Sequence, residues 1–417
     1  MPDADSPDVI VVGAGAAGLA TAIFARRLGR ASVLLVDSAT RPGAKILVSG
    51  GSRCNVTNGV VSERDYRGGR QTIIRRVLSR LPVDRTIAFF EEIGVALKEE
   101  PTGKLFPRSD RSRDVLDGLL GAAQAAGVHI RPATRVQQVR RESEGFMVET
   151  SRGRLTARHV VLATGGLSLP KTGSDGAGLT FARGFGHTIV ETTPALAPLV
   201  LHGGFNASVS GVSLDVELTL WVDGRVRERI RGPMLWTHFG ISGPAALDLS
   251  RHWLRARLEG ATPTVTASLA PGQPFESTDA AWATLAQRQP RAGVQNALAG
   301  HVPASLAAEL LAHAGVDPDT RLADLTREAR RTLAHATTAL HLPVADSRGY
   351  NYAEATAGGV ALDEIDPATM ESRVCRGLFL TGEMLDVDGR LGGFNFQWAW
   401  SSGRAAAEGL AARAGER

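Results

Sequence analysis

The run from Asp8 to Val12 (DVIVV) is apolar after its first residue, with no alternation of polar positions. Such a run is the pattern of a parallel strand covered on both faces. It passes directly into Gly13-Ala14-Gly15-Ala16-Ala17-Gly18, and Leu19 to Leu28 then reads as an apolar helix that stops at Gly29. Ser32 to Val36 is a second buried strand and ends in Asp37, completing a strand–turn–helix–strand unit. Residues 71–93 and 111–126 carry helical spacing. From His129 to Leu162 the pattern changes to several short strands parted by glycine and charged turns, and it closes at Ala163-Thr164-Gly165-Gly166. A strand-rich stretch from about 194 to 270 contains Asp223-Gly224, a dipeptide suited to a two-residue hairpin. Residues 278–338 are spaced as helices, with Pro303 in a first turn. A short strand, Gly377 to Thr381, leads into Gly382-Glu383, and a helix from about Asn395 to Ala414 closes the pattern.

The expected architecture is α/β. A Rossmann-like domain is made from both ends of the chain, residues 1–191 and 343–417. Between them lie a β-rich unit, 192–275, and a helical unit, 276–342. No internal repeat stands out.

Composition narrows the function only a little. The 417 residues are 43% hydrophobic and 22% charged, with 47 Lys+Arg against 43 Asp+Glu and a net charge of +4. That balance neither requires nor excludes a nucleic-acid partner. The two cysteines, Cys54 and Cys375, offer no metal-ligand spacing and no disulfide framework, so no metal is expected and a reducing compartment is. The acidic start, MPDADSPD, lacks the features of a signal peptide, and no run of about 18 apolar residues occurs. A cytoplasmic protein without a membrane span is the expectation.

The chemistry starts at the glycine turn. Gly13, Gly15 and Gly18 allow a tight turn, and the N–H groups at Ala16, Ala17 and Gly18 open a helix where a diphosphate is stabilised. Asp37, 19 residues past Gly18, suits the hydroxyls of a ribose and would repel a 2′-phosphate, which points to FAD or NAD. FAD is favoured by two further features. Thr164, Gly165 and Gly166 end a strand after a three-strand excursion, in which Val136 is placed to touch adenine through its backbone. The chain also returns at its end to a strand, a Gly-acid pair and a helix.

Three motifs carry a resemblance to a known family. The first is Gly43 to Asn58, GAKILVSGGSRCNVTN; the second is Thr237 to Pro244, THFGISGP; the third is Gly382 to Gly403, GEMLDVDGRLGGFNFQWAWSSG. With Ala163–Gly178 and Gly358-Gly359-Val360 they span most of the chain, which resembles the bacterial BaiN-like flavoproteins, in their shorter branch. The resemblance implies an FAD-dependent enzyme, glutathione-reductase-like in its cofactor domain, with an inserted β-barrel-like unit and a small helical unit. Members reduce activated C=C bonds in bile-acid enones or in a ribosomal-RNA uridine. Ser52 stands where the family usually has Gly, and Phe394 where it usually has Tyr.

Roles follow for individual residues. The helix start at Gly393, Phe394 and Asn395 offers N–H groups and a positive dipole end to the pyrimidine edge of a flavin. Gly382, Glu383 and Asp386 follow the last strand and suit the ribityl hydroxyls. Lys45, Ser49, Arg53 and Asn55 lie in a loop this topology places along the cofactor. Trp398 and Trp400 read as core. For Cys54 two readings stand: a general acid beside the ring, or a small residue packing the loop. His238 either orients substrate or fills a packing position. Arginine clusters at 64–85, 225–231 and 251–257 are either solvated faces or a phosphate-binding surface for structured RNA.

The expected activity is FAD-dependent reduction of an activated C=C, with NAD(P)H binding transiently because no second dinucleotide motif appears. The substrate is an enone-like small molecule or structured ribosomal RNA. An oxidase of small amines or ketones, and a flavin-bound RNA-binding or assembly module without turnover, are the alternatives.

Overall fold

A computed structural model of the chain describes residues 6–29 and 31–415. Five parallel strands form its central sheet: β1 (Val9–Val12), β2 (Val33–Val36), β3 (His129–Arg131), β4 (His159–Leu162) and β5 (Leu378–Leu380), in the order β5-β4-β1-β2-β3. Every residue of β1 and β2 is buried, as the unbroken apolar runs require. Helix α1 (Ala16–Leu28) and the terminal helix, Phe394–Gly415, cross closely: a Cβ at Gly403 would stand 3.0 Å from the Ala17 carbonyl oxygen and the Ala20 Cβ. Trp398 and Trp400 are buried in this layer, their indole N–H groups donating to the carbonyls of Gly382 and Val56. Between β3 and β4 the chain makes an antiparallel meander, Val136–Glu142, Gly145–Thr150 and Gly153–Ala157.

The chain divides into two compact units, one ending at Thr193 and resuming at Glu354, the other running from Pro194 to Ala353. The return thus comes later than position 343, because Leu340–Leu342 and Val344–Ser347 are strands of the second unit's sheet. That sheet has seven antiparallel strands. Leu340–Leu342 and Val344–Ser347 lie at its two edges although only Pro343 separates them. Edges joined by one residue must be adjacent, so the sheet curls nearly shut, as a barrel does. The hairpin at Asp223-Gly224 has both residues at positive φ, 51° and 72°, the mirror turn that matches strand twist.

Two local expectations change. Residues 71–93 are two helices, Gln71–Leu78 and Val83–Glu92, because Pro82 cannot continue the first and caps the second. Within the strand-rich stretch lies a 15-residue helix, Pro244–Leu258, begun by Gly243 and Pro244. Its Ala245, Ala246, Leu249 and Trp253 follow helical spacing and join one core with Trp236 of the sheet and Trp282, Leu306 and Leu333 of the following helices. The β-rich and helical parts of the insert therefore share a single hydrophobic core. Among the described residues no helix is long and apolar enough to cross a membrane, and no cluster of His, Cys, Asp and Glu could hold a metal.

Candidate cofactor site

The glycine turn between β1 and α1 divides into packed and open positions. A Cβ at Gly13, whose φ is +103°, would lie 2.5 Å from the Ala163 carbonyl oxygen, and one at Gly18 would overlap the Gly13 carbonyl. These two glycines let β1, α1 and the end of β4 meet. Gly15 differs: no atom lies within 4 Å of where its Cβ would stand. It caps α1, whose first turn holds no acid and no side-chain cap, so the Ala16, Ala17 and Gly18 N–H groups lack side-chain compensation. That cradle fits a diphosphate. Asp37 borders it, with Oδ2 accepting from Ala14 N–H at 2.6 Å and Oδ1 from Ala39 N–H at 2.7 Å. One acceptor position on each oxygen is thus used and others remain for ribose hydroxyls. Burial raises the Asp37 pKa, and the two backbone N–H groups offset part of that rise. The Asp37 carbonyl accepts from Thr134 N–H at 2.7 Å, which brings the start of the Val136 strand beside the ribose acid.

Lys45 and Glu383, 338 positions apart, form an ion pair, and each also bonds Ser168 Oγ at 2.5 Å. Both were expected to face the cofactor. The structure makes them partners first, with side chains 24% and 17% exposed. Ser168 is placed by Thr356 Oγ1, which accepts from Leu167 N–H at 2.8 Å and Ser168 N–H at 3.1 Å. Gly166 is a glycine because a Cβ there would overlap Thr356 Oγ1, and Thr164 packs over Gly178 for the same reason. Gly165, at φ +72°, faces Ser174 Oγ.

The Gly43–Asn58 loop begins as a helix, Ala44–Ser52, and kinks at Ser49-Gly50-Gly51. Ser49 Oγ donates to the Ile46 carbonyl at 2.8 Å, and its own carbonyl accepts from Cys54 N–H at 3.1 Å. Ser52 and Cys54 take left-handed φ values of 66° and 60°. Ser52 is thus strained where the resembling family has glycine. Arg53 is held by Glu100 at 2.7 Å and Asp110 at 3.5 Å, and lies 3.9 Å over Phe106. Cys54 is surrounded by protein on all sides, and burial pushes its thiol up to about 12. A ligand along this loop meets polypeptide rather than the sulfur, so the surroundings favour the packing reading. Asn55 is only 8% exposed, yet its Oδ1 has no hydrogen-bond partner. Thr381 Oγ1, fully buried after β5, is in the same condition. Each of these oxygens keeps acceptor capacity for a bound group.

At the terminal helix, Gln397 N–H makes a helical bond to the Gly393 carbonyl at 3.0 Å, leaving the Phe394, Asn395 and Phe396 N–H groups at the helix start, with no acid in the first turn. A Cβ at Gly393, φ +92°, would stand 2.5 Å from the Thr57 carbonyl oxygen. The glycine is therefore required by protein packing here. Phe394 is wholly buried against Tyr66, so its ring is closed to a ligand, and its carbonyl accepts from the Tyr66 hydroxyl at 2.8 Å. The Asn395 amide both accepts from and donates to Gly389, at 2.8 and 2.9 Å, and locks the turn. Gly382, at φ +75°, donates to Ser402 Oγ, and the backbone of Asp386 bonds Val360 and Gly69. Sequence reading missed Ser168, Thr356 and Gln397, the last a buried hub for Thr57, Leu81, Thr86 and Ser401. Ser168 and Gln397 lie inside the quoted motifs and Thr356 two residues before one, but nothing in their type or spacing marks them out. His238 is exposed in the second unit.

Comparison with known proteins adds to this geometry. Residues 7–409 match the family described as HI0933-like protein Rossmann domain. The 3-dehydro-bile acid delta(4,6)-reductase of Clostridium scindens is 34% identical over 403 residues, covering 95% of this chain and 98% of that protein. The ribosomal RNA dihydrouridine synthase of Escherichia coli is 34% identical over 412 residues, covering 97% and 98%. Among solved structures, a flavocytochrome c3 fumarate reductase shares the fold with a TM-score of 0.52 at 18% identity, over 99% of this chain and 79% of that one. Given a match that runs nearly end to end over a strand–glycine turn–helix unit and a returning terminal helix, the chain belongs to the HI0933-like family and is an FAD-dependent oxidoreductase on a Rossmann-like fold.

Proposed function

We propose that this chain reduces a C=C bond conjugated to a carbonyl, with NAD(P)H as the reductant. The observation that carries it is the pair of helix starts, α1 at Gly15 and the terminal helix at Gly393, each free of acids. The first suits a diphosphate and the second an electron-rich ring edge. FAD, when bound, supplies a hydride acceptor and donor. The protein's part is to hold and to polarise. Ala16, Ala17 and Gly18 N–H groups hold the diphosphate, Asp37 the ribose, and the N–H groups of Phe394 and Asn395 the ring edge. Asn55 Oδ1 and Thr381 Oγ1 offer acceptors to the same ligand. Within the Lys45–Ser168–Glu383 cluster the charges are neutralised internally, which orients the loop toward the cofactor without adding net charge. With the Cys54 thiol enclosed, His238 is the remaining candidate for orienting substrate or delivering a proton.

The relatives' names support the substrate class. One is called a delta(4,6)-reductase of a 3-dehydro bile acid and the other a dihydrouridine synthase of ribosomal RNA. Both describe hydrogen added across a double bond in conjugation with a ring carbonyl. Two thiols, neither in a disulfide, suit the cytoplasm, where we place the enzyme.

The test is anaerobic oxidation of NADH or NADPH by the purified yellow protein, given a 3-oxo-Δ4 bile acid in one arm and uridine-containing ribosomal RNA in the other. Substrate-dependent oxidation in either arm, with the saturated product found, supports the reading. Dihydrouridine mapping of ribosomal RNA from cells with and without the protein identifies the second arm independently. Rapid reoxidation by air with neither substrate consumed overturns it in favour of an oxidase.

A further inference from the structure

We propose that Arg348 binds the carbonyl oxygen of a flat conjugated ring, a uracil or a steroid enone, laid beside the exposed ring of Tyr352. This rests on the reductase reading and specifies how its substrate is gripped.

The guanidinium carbon of Arg348 lies over two aromatic rings, 3.4 Å from the Tyr352 ring centroid and 4.4 Å from that of Phe239. No carboxylate pairs with it, and no guanidinium N–H donates to protein among the described residues. This sets it apart. Arg53, Arg330, Arg390 and Arg413 each hold a carboxylate as well as stacking or packing. A guanidinium has five N–H donors in one plane, and stacking uses none of them. Held over two rings and paired with no carboxylate, the guanidinium keeps its N–H donors for a carbonyl or other oxygen acceptor.

The platform is built rather than fortuitous. Arg348 N–H donates to the Pro198 carbonyl at 2.9 Å, and Tyr352 N–H to the Gly349 carbonyl at 3.1 Å. On the other side Asn206, 3% exposed, donates through Nδ2 to the carbonyls of Thr237 and His238 at 3.1 and 2.9 Å. The Phe239 carbonyl accepts from Leu201 N–H at 3.0 Å. The backbone that carries both rings is thus tied by hydrogen bonds, which lowers the ordering cost of binding. Tyr352 is 49% exposed, an unusual state for an aromatic ring that makes no core contact. His238, also exposed, sets its edge to Phe239 at 5.1 Å. An open aromatic face beside an oriented donor edge suits a ring that can stack and accept at once. Uracil and a 3-oxo-Δ4 steroid share that chemistry, a C=C conjugated to a ring carbonyl. A donor on that oxygen draws electron density from the far carbon of the double bond.

The experiment uses the full-length holoprotein and equilibrium dialysis. One arm compares a 3-oxo-Δ4 bile acid with its 3-deoxy analogue. The other compares a uridine-containing RNA hairpin with the same hairpin carrying 2-pyrimidinone, which lacks the 4-oxygen. The wild type is expected to prefer the carbonyl-bearing probe in one arm by about tenfold or more, the range for a hydrogen bond to a charged donor. Arg348→Gln should lose that preference while binding the analogue unchanged. Arg348→Lys, charged but not planar, should fail to restore it, and Tyr352→Ala should weaken probe and analogue alike. Preference retained in Arg348→Gln overturns the proposal, as does a wild type that binds without preference in both arms. If Arg348→Gln does not fold, Arg348→Lys and Tyr352→Ala carry the same decision. Failure of the reductase reading is separate: it shows as no NAD(P)H consumption by the wild type with either substrate, whatever binds.

Discussion

Two glycine turns in this molecule look alike in sequence and differ in what their glycines are for. At the Gly13–Gly18 turn, Gly13 and Gly18 are demanded by protein atoms, while nothing stands within 4 Å of a Cβ at Gly15. At the Gly392–Gly393 turn both glycines are demanded by protein: Gly393 by the Thr57 carbonyl and Gly392 by the Phe394 ring, 3.0 Å from its Cβ position. The first turn therefore keeps one position open for a ligand. The second uses its glycines to seat the terminal helix and presents a ligand only with backbone N–H groups. A motif glycine whose Cβ position is filled by protein is explained by packing alone, whereas Gly15 is not.

Substitutions can break this comparison. The largest effect is expected at Gly18→Ala, where the new methyl overlaps the Gly13 carbonyl; overpacking against backbone should cost about 3 kcal/mol or more. Thermal unfolding of the purified variant, or its failure to accumulate as folded protein, checks this. Gly393→Ala combines a left-handed φ with a 2.5 Å approach to Thr57, and a loss of about 2–3 kcal/mol is expected in the same measurement. Gly15→Ala inverts the pattern. Its unfolding midpoint should stay near wild type, within about 0.5 kcal/mol of stability, whereas FAD affinity should fall about tenfold or more as the methyl enters the cradle. Equal losses of stability at Gly15 and Gly18 would abolish the distinction.

A smaller effect sharpens the role of Asp37. Burial raises its pKa, so the folded chain holds that proton more tightly than the unfolded chain does. Its contribution to stability is fully present below the ordinary value of 3.8 and is lost as pH rises through the raised folded value. FAD affinity should run the other way, because the ionised carboxylate is the better acceptor for ribose hydroxyls. Parallel pH series of unfolding and FAD binding should show opposed slopes in the wild type, and neither slope in Asp37→Asn. The smallest effect is expected at Cys54→Ala. With the thiol enclosed, turnover should remain within about threefold of wild type, the loss being one of packing.

The stretch from Asp8 to Asp37 was legible because each step is local. A buried run, a glycine turn, an apolar helix and an acid follow one another without needing a distant partner. The terminal helix and the two tryptophans were legible for the same reason. The helix Pro244–Leu258 was not, since its apolar spacing sits among strand signals and its core partners, Trp236 and Leu306, lie outside its own window. Lys45 and Glu383 were expected along the cofactor and at its ribityl hydroxyls, but nothing in either segment says that the two meet across 338 positions. Nor does the run Arg225–Arg231 reveal that the register shifts between Leu220 and Trp221 and interrupts the alternation of its side chains.

The sequence by itself determined the elements whose physics is short-ranged: strand and helix periods, the mirror hairpin at Asp223-Gly224, the glycine turn with Asp37 after the next strand, and the family these motifs mark. Tertiary structure alone decided which polar groups are already satisfied by protein. Arg53 is matched by Glu100 and Asp110, Lys45 by Glu383, while Asn55, Thr381 and Arg348 keep unmatched atoms. The reason is that hydrogen bonding is saturable and depends on partners far away in the chain, whereas hydrophobic periodicity is written into neighbours.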